Sequence, residues 1–322
     1  MRTAQSEHKL INSALYDATF QAAFQSKCIT LLAPASGLPH ASIDALQKLP
    51  GLTVDTSLAC ITEDILFHAC GDEKRFNCLQ RALFDETRHP IIWTLRGGYG
   101  CARLLDRLAE LKPPKHKKVF IGFSDNTALH LFLSQNWHWK TIHASGMAQL
   151  LSQDHDPQNY IRIAELVNHS VTQHVIRALS PLNEQAKQVA SVTGSMQGGN
   201  LTLIENSIGT HWQIQTKGRL LFLEEVGEKG YRIDRSLYHL RQAGLFNQVH
   251  GIVFGECLGD DQQGIAVALE RFAAETSFPV YQTHQFGHGK INYPIMYGAI
   301  SEITRASEGH EYVLSMQIHE KG

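Results

Sequence analysis

The chain has 322 residues, of which 43% are hydrophobic and 19% are charged, so it can bury one or two sizeable cores and is not a disordered polymer. Its formal net charge of −2 shows none of the basic surplus that a nucleic-acid or anionic-membrane partner normally requires. No apolar stretch approaches the roughly 20 residues that span a bilayer, so we expect neither nucleic acid nor membrane as a partner.

Residues 1–27 are predicted to form a polar, partly helical N-terminal extension. They begin MRTAQSEHKLINSALYD, which lacks the basic region and following apolar run of a secretory signal. The cysteines contain no CxxC pair, which removes the simplest evidence for a zinc site or thioredoxin-type chemistry. We expect no metal and no cofactor. Scattered thiols in apolar or helical contexts favour a reducing cytoplasm. The six cysteines are Cys28, Cys60, Cys70, Cys78, Cys101 and Cys257.

Residues 28–150 alternate short apolar runs with helical patterns. The apolar runs, typical of strands covered on both faces, are 28–33, 90–95 and 119–123. The helical patterns are 73–84, 101–111 and 126–136. Alternating strands and helices predict an α/β domain built on a parallel sheet.

A change in composition separates this domain from a second block. Residues 151–190 are polar and weakly patterned, which predicts a linker region with one or two short helices. Residues 191–322 form the predicted C-terminal domain. Its predicted strands are 219–225, 249–256 and 311–319, and its predicted helices are 233–244 and 264–275.

Ser124 stands where an apolar run gives way to a helical pattern, in IGFSDNTALH. One interpretation is a helix N-cap, with Asp125 at the positive end of the helix dipole. The other is a nucleophile elbow, in which a tight turn between strand and helix lifts the serine hydroxyl clear of the sheet. Caps outnumber nucleophiles, so this fragment alone favours the cap. A nucleophilic serine also needs a base and a carboxylate that orients the base.

His288 and the pair Glu224–Glu225 are the candidates for those two roles. Glycines flank His288 in FGHGK, and they allow the backbone to present the imidazole to a cleft, although a solvent-exposed loop histidine fits the same spacing. Glu224 and Glu225 end the apolar run LLFL and point to opposite faces of the strand. The sequence leaves open which of the two faces the cleft.

Two glycine-rich segments are candidates for binding an oxyanion or a carboxylate through backbone N–H groups. RGGYG at 96–100 follows a buried strand, and GGN occupies 198–200. A tight structural turn explains both segments equally well, and neither has the spacing of a nucleotide-binding loop. We predict that Gly97, Tyr99 and Asn200 contact the substrate.

In chain order, these segments resemble the LD-carboxypeptidase family of serine peptidases, which includes muramoyltetrapeptide carboxypeptidases and microcin C self-immunity proteins. The motifs are LLAPASG, RGGYG, GFSDNTAL, HASGM, GGNLTLI, LFLEEVGEKGYRIDRSLYHLRQAG and FGHGKINYPIMYGA. Each motif is weak alone, but the ordered set covers most of the chain and changes the preferred interpretation of Ser124 from cap to nucleophile.

The resemblance implies Ser124 as nucleophile, Glu224 as acid and His288 as base, with an oxyanion site formed by the backbone N–H groups of Asp125 and Gly98. It implies an N-terminal parallel-sheet α/β domain similar to the class I amidotransferases, a smaller β-rich α/β C-terminal domain, and a site in the cleft between them. It also implies a cytoplasmic homodimer that removes the terminal D-alanine from a murein tetrapeptide during cell-wall recycling.

The chain departs from the family pattern in three places, one of which is that the predicted N-terminal extension 1–27 is longer than the resemblance leads us to expect. Glu225 replaces the usual aspartate after the catalytic acid, and residues 143–147 read HASGM where the family usually has His-Gly-Pro-Met. Three alternatives remain: a microcin-type immunity peptidase that cleaves an acyl-amide bond to a nucleotide, an α/β-hydrolase esterase, and a non-catalytic binding module. GFSDN lacks the second glycine of G-x-S-x-G, which disfavours the esterase.

Overall fold

The structure, a computed structural model, describes residue 24 and residues 29–47, 67–86, 90–150, 155–306 and 311–318. The predicted extension 1–27, apart from residue 24, lies outside the described residues, as do Cys28 and Cys60. The strands of the described residues are β1 (Ile29–Leu32), β2 (Ile91–Thr94), β3 (Val119–Gly122), β4 (Ile142–His143), β5 (Gln173–Pro181), β6 (Ser191–Asn200), β7 (Arg219–Val226), β8 (Gly251–Leu258), β9 (Val280–Gln282), β10 (Ile295–Met296), β11 (Ile300–Arg305) and β12 (Tyr312–Gln317). Their α-helices are α1 (His40–Gln47), α2 (Asp72–Phe84), α3 (Leu105–Ala109), α4 (Thr127–Asn136), α5 (Met147–Leu150), α6 (Gln158–Val167), α7 (Glu184–Gln188), α8 (Leu201–Asn206), α9 (Gly230–Gln242) and α10 (Gln262–Ala274).

The first sheet has the strand order β1-β2-β3-β4-β10, and β1 to β4 run parallel. The sequence predicts the parallel sheet with β1, β2 and β3, whereas the two-residue strand β4 was not predicted. Every residue of β1 and β2 is buried, as expected of short apolar strands covered on both faces. The carboxyl ends of parallel strands meet at one edge of a sheet, where open α/β folds bind their ligands. The RGGYG turn after β2 and Ser124 after β3 therefore lie at the same edge.

Strand β10 was not predicted, and it joins the first sheet from the far end of the chain. It pairs antiparallel with β4, with Ile295 opposite His143. Two residues are too few to show a strand period in the sequence. The pairing brings residues 283–294, which precede β10 and include His288, to the edge that carries Ser124.

The C-terminal part is a closed barrel with the strand order β11-β12-β5-β9-β8-β7-β6. Strands β6 to β9 run parallel, and β5, β11 and β12 complete the barrel with antiparallel pairs. Helices α9 and α10 pack against each other, and α9 buries the stripe Ile233, Leu237 and Leu240. The predicted fold class, a parallel-sheet α/β part followed by a β-rich α/β part, is confirmed.

The segment 151–190 is not only the linker with short helices that its composition predicts. It holds helices α6 and α7, but also β5, a nine-residue strand of the barrel. The alternation along β5 is interrupted at Ala178, which has φ 54°, and the register with β12 shifts in the same region. This irregularity hides the two-residue period, which is the main signal of a strand. The domain boundaries placed at 28–150 and 191–322 stay a prediction.

Candidate active site

Ser124 lies in the tight turn between β3 and α4 and has φ 60°. It begins a short 3₁₀ turn, Ser124–Asn126, whose preceding residue Phe123 is fully extended. An N-cap residue normally has extended dihedrals, whereas a non-glycine residue at positive φ is strained and occurs most often in functional turns. The backbone at Ser124 is therefore a strained turn between strand and helix and not an ordinary N-cap.

The RGGYG turn packs directly against Ser124. A Cβ atom built on Gly97 would lie 2.7 Å from the Cβ atom of Ser124 and 2.9 Å from its Oγ atom, so this position has no room for a side chain. Gly98 has φ 118°, a conformation that glycine adopts readily, and its backbone packs against Ser36. Both predicted sources of oxyanion N–H groups, Gly98 and Asp125, thus belong to turns in mutual contact.

The side chain of Asp125 links these two turns. Its Oδ2 atom accepts a hydrogen bond of 2.8 Å from the backbone N–H of Cys101, which directly follows the RGGYG turn. Burial raises the pKa of the Asp125 carboxyl, and the hydrogen bond from the Cys101 N–H opposes this effect. The carboxyl group thus ties the turn that holds Ser124 to the glycine turn.

His288 and Glu224 form a close pair. The Nδ1 atom of His288 lies 2.5 Å from Oε2 of Glu224, and the Glu224 side chain is fully buried. Because a carboxylate only accepts, Nδ1 carries the proton, and Nε2 is the atom that can accept another. The imidazole packs against Phe123, with ring centroids 4.8 Å apart. Phe123 immediately precedes Ser124, so the imidazole lies against the turn that holds the serine.

The pKa of His288 is raised above its ordinary value. Burial alone lowers it, but the charge of Glu224 and its hydrogen bond to the ring favour the protonated form and outweigh burial. A carboxylate that stabilises an imidazolium in this way is what a base in acyl transfer requires.

The neighbouring Glu225 has a different role. It accepts hydrogen bonds from the side chain of Asn200 and from the N–H and hydroxyl groups of Thr202. Burial raises the pKa of the Glu225 carboxyl. The alternation along β7 thus separates the two acids, with Glu224 facing the histidine and Glu225 facing the start of α8.

The predicted substrate contacts have different surroundings. The Asn200 side chain is buried, caps α8 through the Leu203 N–H and donates to Glu225. Tyr99 is 49% exposed, and its ring stacks on His68 at the rim of the glycine turn. Gly97 contacts Ser124 as described above. As substrate contacts, all three residues stay predictions.

His130 forms a hydrogen bond to the end of the strand that precedes Ser124, and it was not singled out in the sequence. Its Nε2 donates to the carbonyl of Gly122, the last residue of β3, and its Nδ1 accepts from the Thr141 hydroxyl. Burial lowers the pKa of His130 to about 3, so the ring is neutral at physiological pH. A histidine within an apolar helix gives no signal of this role, because the contact depends on how α4 packs on the sheet.

Within the described residues, no group of three or more histidine, cysteine, aspartate or glutamate side chains is arranged to hold a metal ion. In the same part of the chain, the structure has no helix whose length and apolar character would let it cross a membrane.

Family comparisons decide the class of the protein. Residues 29–144 match the LD-carboxypeptidase N-terminal domain, and residues 193–303 match the LD-carboxypeptidase C-terminal domain. The chain belongs to the LD-carboxypeptidase family. The resemblance found in the sequence is confirmed, and this LD-carboxypeptidase is a serine-type hydrolase.

Individual relatives of this LD-carboxypeptidase carry the same class of name. A putative carboxypeptidase of Rickettsia conorii is 47% identical over 90% of this chain and 92% of its own. The murein tetrapeptide carboxypeptidase of Pseudomonas aeruginosa is 32% identical over 84% of this chain and 91% of its own.

Solved structures share the fold of this LD-carboxypeptidase. The muramoyltetrapeptide carboxypeptidase from Oxalobacter formigenes superposes with a TM-score of 0.76 at 23% identity, covering 90% of this chain and 99% of its own. The microcin C7 self-immunity protein MccF, in its wild-type apo state, superposes with a TM-score of 0.71 at 14% identity, covering 90% of this chain and 96% of its own.

Proposed function

We propose that this LD-carboxypeptidase hydrolyses the L,D-peptide bond of murein tetrapeptides and releases the terminal D-alanine, with Ser124 as nucleophile, His288 as base and Glu224 as the acid that orients the base. The observation that carries the proposal is the 2.5 Å contact between His288 Nδ1 and Glu224 Oε2, made by an imidazole that packs on the residue before Ser124.

The reaction is acyl transfer through a covalent intermediate. His288 Nε2 takes the proton of the Ser124 hydroxyl while Oγ attacks the carbonyl carbon of the scissile bond. The backbone N–H groups of Asp125 and Gly98 stabilise the oxyanion, at about 3 to 4 kcal/mol per donor. The imidazolium then protonates the leaving amine of D-alanine, and water, deprotonated by His288, hydrolyses the acyl ester to free the tripeptide and Ser124.

The names of the relatives support a murein substrate. A relative 32% identical to this chain is named a murein tetrapeptide carboxypeptidase, and one at 26% a probable murein peptide carboxypeptidase. The MccF structures, some of which hold adenosine monophosphate or sulfamoyl nucleosides, are 14% identical to this chain. Sequence similarity therefore favours murein peptides over a peptidyl nucleotide.

The direct experiment offers the protein three substrates: murein tetrapeptide, a peptidyl-sulfamoyl adenosine and a simple aryl ester. We expect mass spectrometry to show the tetrapeptide losing one alanine, which a chiral assay identifies as the D-enantiomer. Cleavage of the nucleotide conjugate alone would support the immunity-type alternative. Hydrolysis of the ester alone would support an esterase, and no cleavage of any substrate would support a binding module.

On the resemblance we also propose that the enzyme acts as a homodimer in the cytoplasm, within cell-wall recycling. Light scattering on the purified protein tests the dimer: a mass near twice the chain mass of 36.0 kDa is expected, and a mass near 36.0 kDa would contradict it.

A further inference from the structure

We propose that Asn292 is a positioning residue, which links the loop that carries His288 to Ser145 of the N-terminal sheet and so sets the distance between the base and the nucleophile. The inference rests on the proposed function, because it assigns Asn292 its role through His288 and Ser124.

The side chain of Asn292 is fully buried and uses both ends of its amide. Its Oδ1 atom accepts a hydrogen bond of 3.1 Å from the backbone N–H of Gly287, the residue before His288. Its Nδ2 atom donates to the hydroxyl of Ser145 at 3.1 Å. Ser145 follows β4, and its carbonyl accepts from the indole of Trp93 in β2 at 2.9 Å. One amide therefore connects the His288 loop to the sheet that carries Ser124.

The backbone of Asn292 is also hydrogen-bonded. Its N–H donates to the side chain of Asn159 at 2.9 Å, and the amide of Asn159 donates to the carbonyl of Lys290 at 3.0 Å. The loop is thus bound on both sides of His288. Because glycine lies on each side of His288, the local chain has little stiffness of its own, and these bonds have to supply it.

A positioning role is needed because the three proposed catalytic residues belong to different elements. Glu224 lies on a barrel strand and fixes the orientation of the imidazole, but Ser124 lies on the first sheet. A displacement of about 1 Å between base and nucleophile can lower a rate about a hundredfold. The Asn292–Ser145 hydrogen bond joins the loop that carries His288 directly to the first sheet. Ser145 also lies in HASGM, one of the places where this chain departs from the family pattern.

The test compares Asn292→Ala and Ser145→Ala with Asn183→Ala. Asn183 is the matched control, because it too is buried and its amide donates to the carbonyls of Ala273 and Phe278, within the C-terminal part. We expect Asn292→Ala to lower kcat about tenfold or more, with KM changed less than about twofold. We expect Ser145→Ala to lower kcat about threefold. The double variant Asn292→Ala/Ser145→Ala should have a kcat no lower than that of Asn292→Ala, because the Ser145 hydroxyl acts only through the Asn292 amide. Asn183→Ala should lower Tm and leave kcat unchanged.

A second readout does not depend on turnover. The pKa of the His288 imidazole, followed by NMR and assigned by loss of its signal in His288→Asn, should fall in Asn292→Ala and Ser145→Ala and stay unchanged in Asn183→Ala. The titratable groups that face this ring are Glu224, with Glu225 beside it on β7, and the buried His143 of β4.

Unchanged kcat and an unchanged His288 pKa in both loop variants would overturn the positioning role, as would equal losses in Asn292→Ala and the control. If Asn292→Ala fails to fold, Ser145→Ala decides by the same criteria. If the wild-type protein releases no D-alanine, the proposed function fails, and the NMR titration still shows whether Asn292 positions the histidine.

Discussion

Gly97 and Ser124 approach each other so closely that a methyl group on the glycine would lie 2.7 Å from the serine Cβ atom. Ser124 has no easy way to move aside, because its backbone is already held at φ 60° in a turn between strand and helix. The contact places the glycine turn against the proposed nucleophile.

Gly97→Ala should therefore lower kcat/KM for D-alanine release at least about tenfold, because the new methyl group displaces the hydroxyl or the oxyanion turn. Gly71→Ala is the matched control, since a Cβ atom there meets nothing within 4 Å. Equal rates for the two variants would show that the turn and the serine do not act together.

The raised pKa of His288 predicts the acid side of the pH profile. The base must be neutral to accept a proton, so kcat/KM should fall as the pH drops through a pKa above the ordinary value of 6.5. Glu224→Gln removes the charge that raises this pKa, so its acid limb should move to lower pH while its kcat falls. An acid limb of the wild-type kcat/KM profile with a midpoint at or below pH 6.5 would contradict the pairing of His288 with Glu224.

The same shift has a consequence for stability. The folded state binds the His288 proton more tightly than the unfolded chain, so this contribution is fully present below pH 6.5 and is lost as the pH rises through the folded-state pKa. Urea unfolding of wild type and Glu224→Gln should show the larger difference at pH 5.5 than at pH 9. A difference that does not change with pH would contradict this.

The two adjacent glutamates should separate activity from stability. Glu224→Gln should lower kcat by about 10³- to 10⁴-fold, the scale seen when a triad carboxylate is made neutral. Glu225→Gln replaces an acceptor of several hydrogen bonds and should cost about 1 to 3 kcal/mol of unfolding free energy. Its acid limb should move to lower pH by less than that of Glu224→Gln, because the charge of Glu225 raises the His288 pKa less than Glu224 does. Steady-state kinetics and urea unfolding on both variants check this, and the reverse pattern would exchange their roles.

His130 should make the fold sensitive to acid. Its folded-state pKa is lowered to about 3, so below pH 6.5 the unfolded chain binds a proton that the folded state does not, and stability falls. His130→Gln has no imidazole at this position and so lacks this acid-dependent loss of stability. Its loss of unfolding free energy between pH 8 and pH 5 should be smaller than that of wild type by about 2 kcal/mol. Identical losses in urea unfolding would contradict a neutral buried His130.

The sequence was informative where physical constraints act locally. β2 and β3 are continuous apolar runs because both faces are buried, and Ser124 could be located by the abrupt change from strand to helix. β10 and the bulged β5 could not be found, because two residues or an interrupted period carry no pattern. The choice between Glu224 and Glu225 depends on which face of β7 meets the loop, which only the packed barrel decides.

We propose that the hydroxyl of Ser124 is the nucleophile, and the rate of D-alanine release from murein tetrapeptide by Ser124→Ala tests this directly. Ser134→Ala, which removes a half-buried hydroxyl that accepts from Gln197, is the matched control, with circular dichroism and Tm confirming that both variants fold. We expect a rate lower by on the order of 10⁵- to 10⁶-fold for Ser124→Ala and a rate near wild type for the control. Folded Ser124→Ala with near-normal release of D-alanine would contradict it.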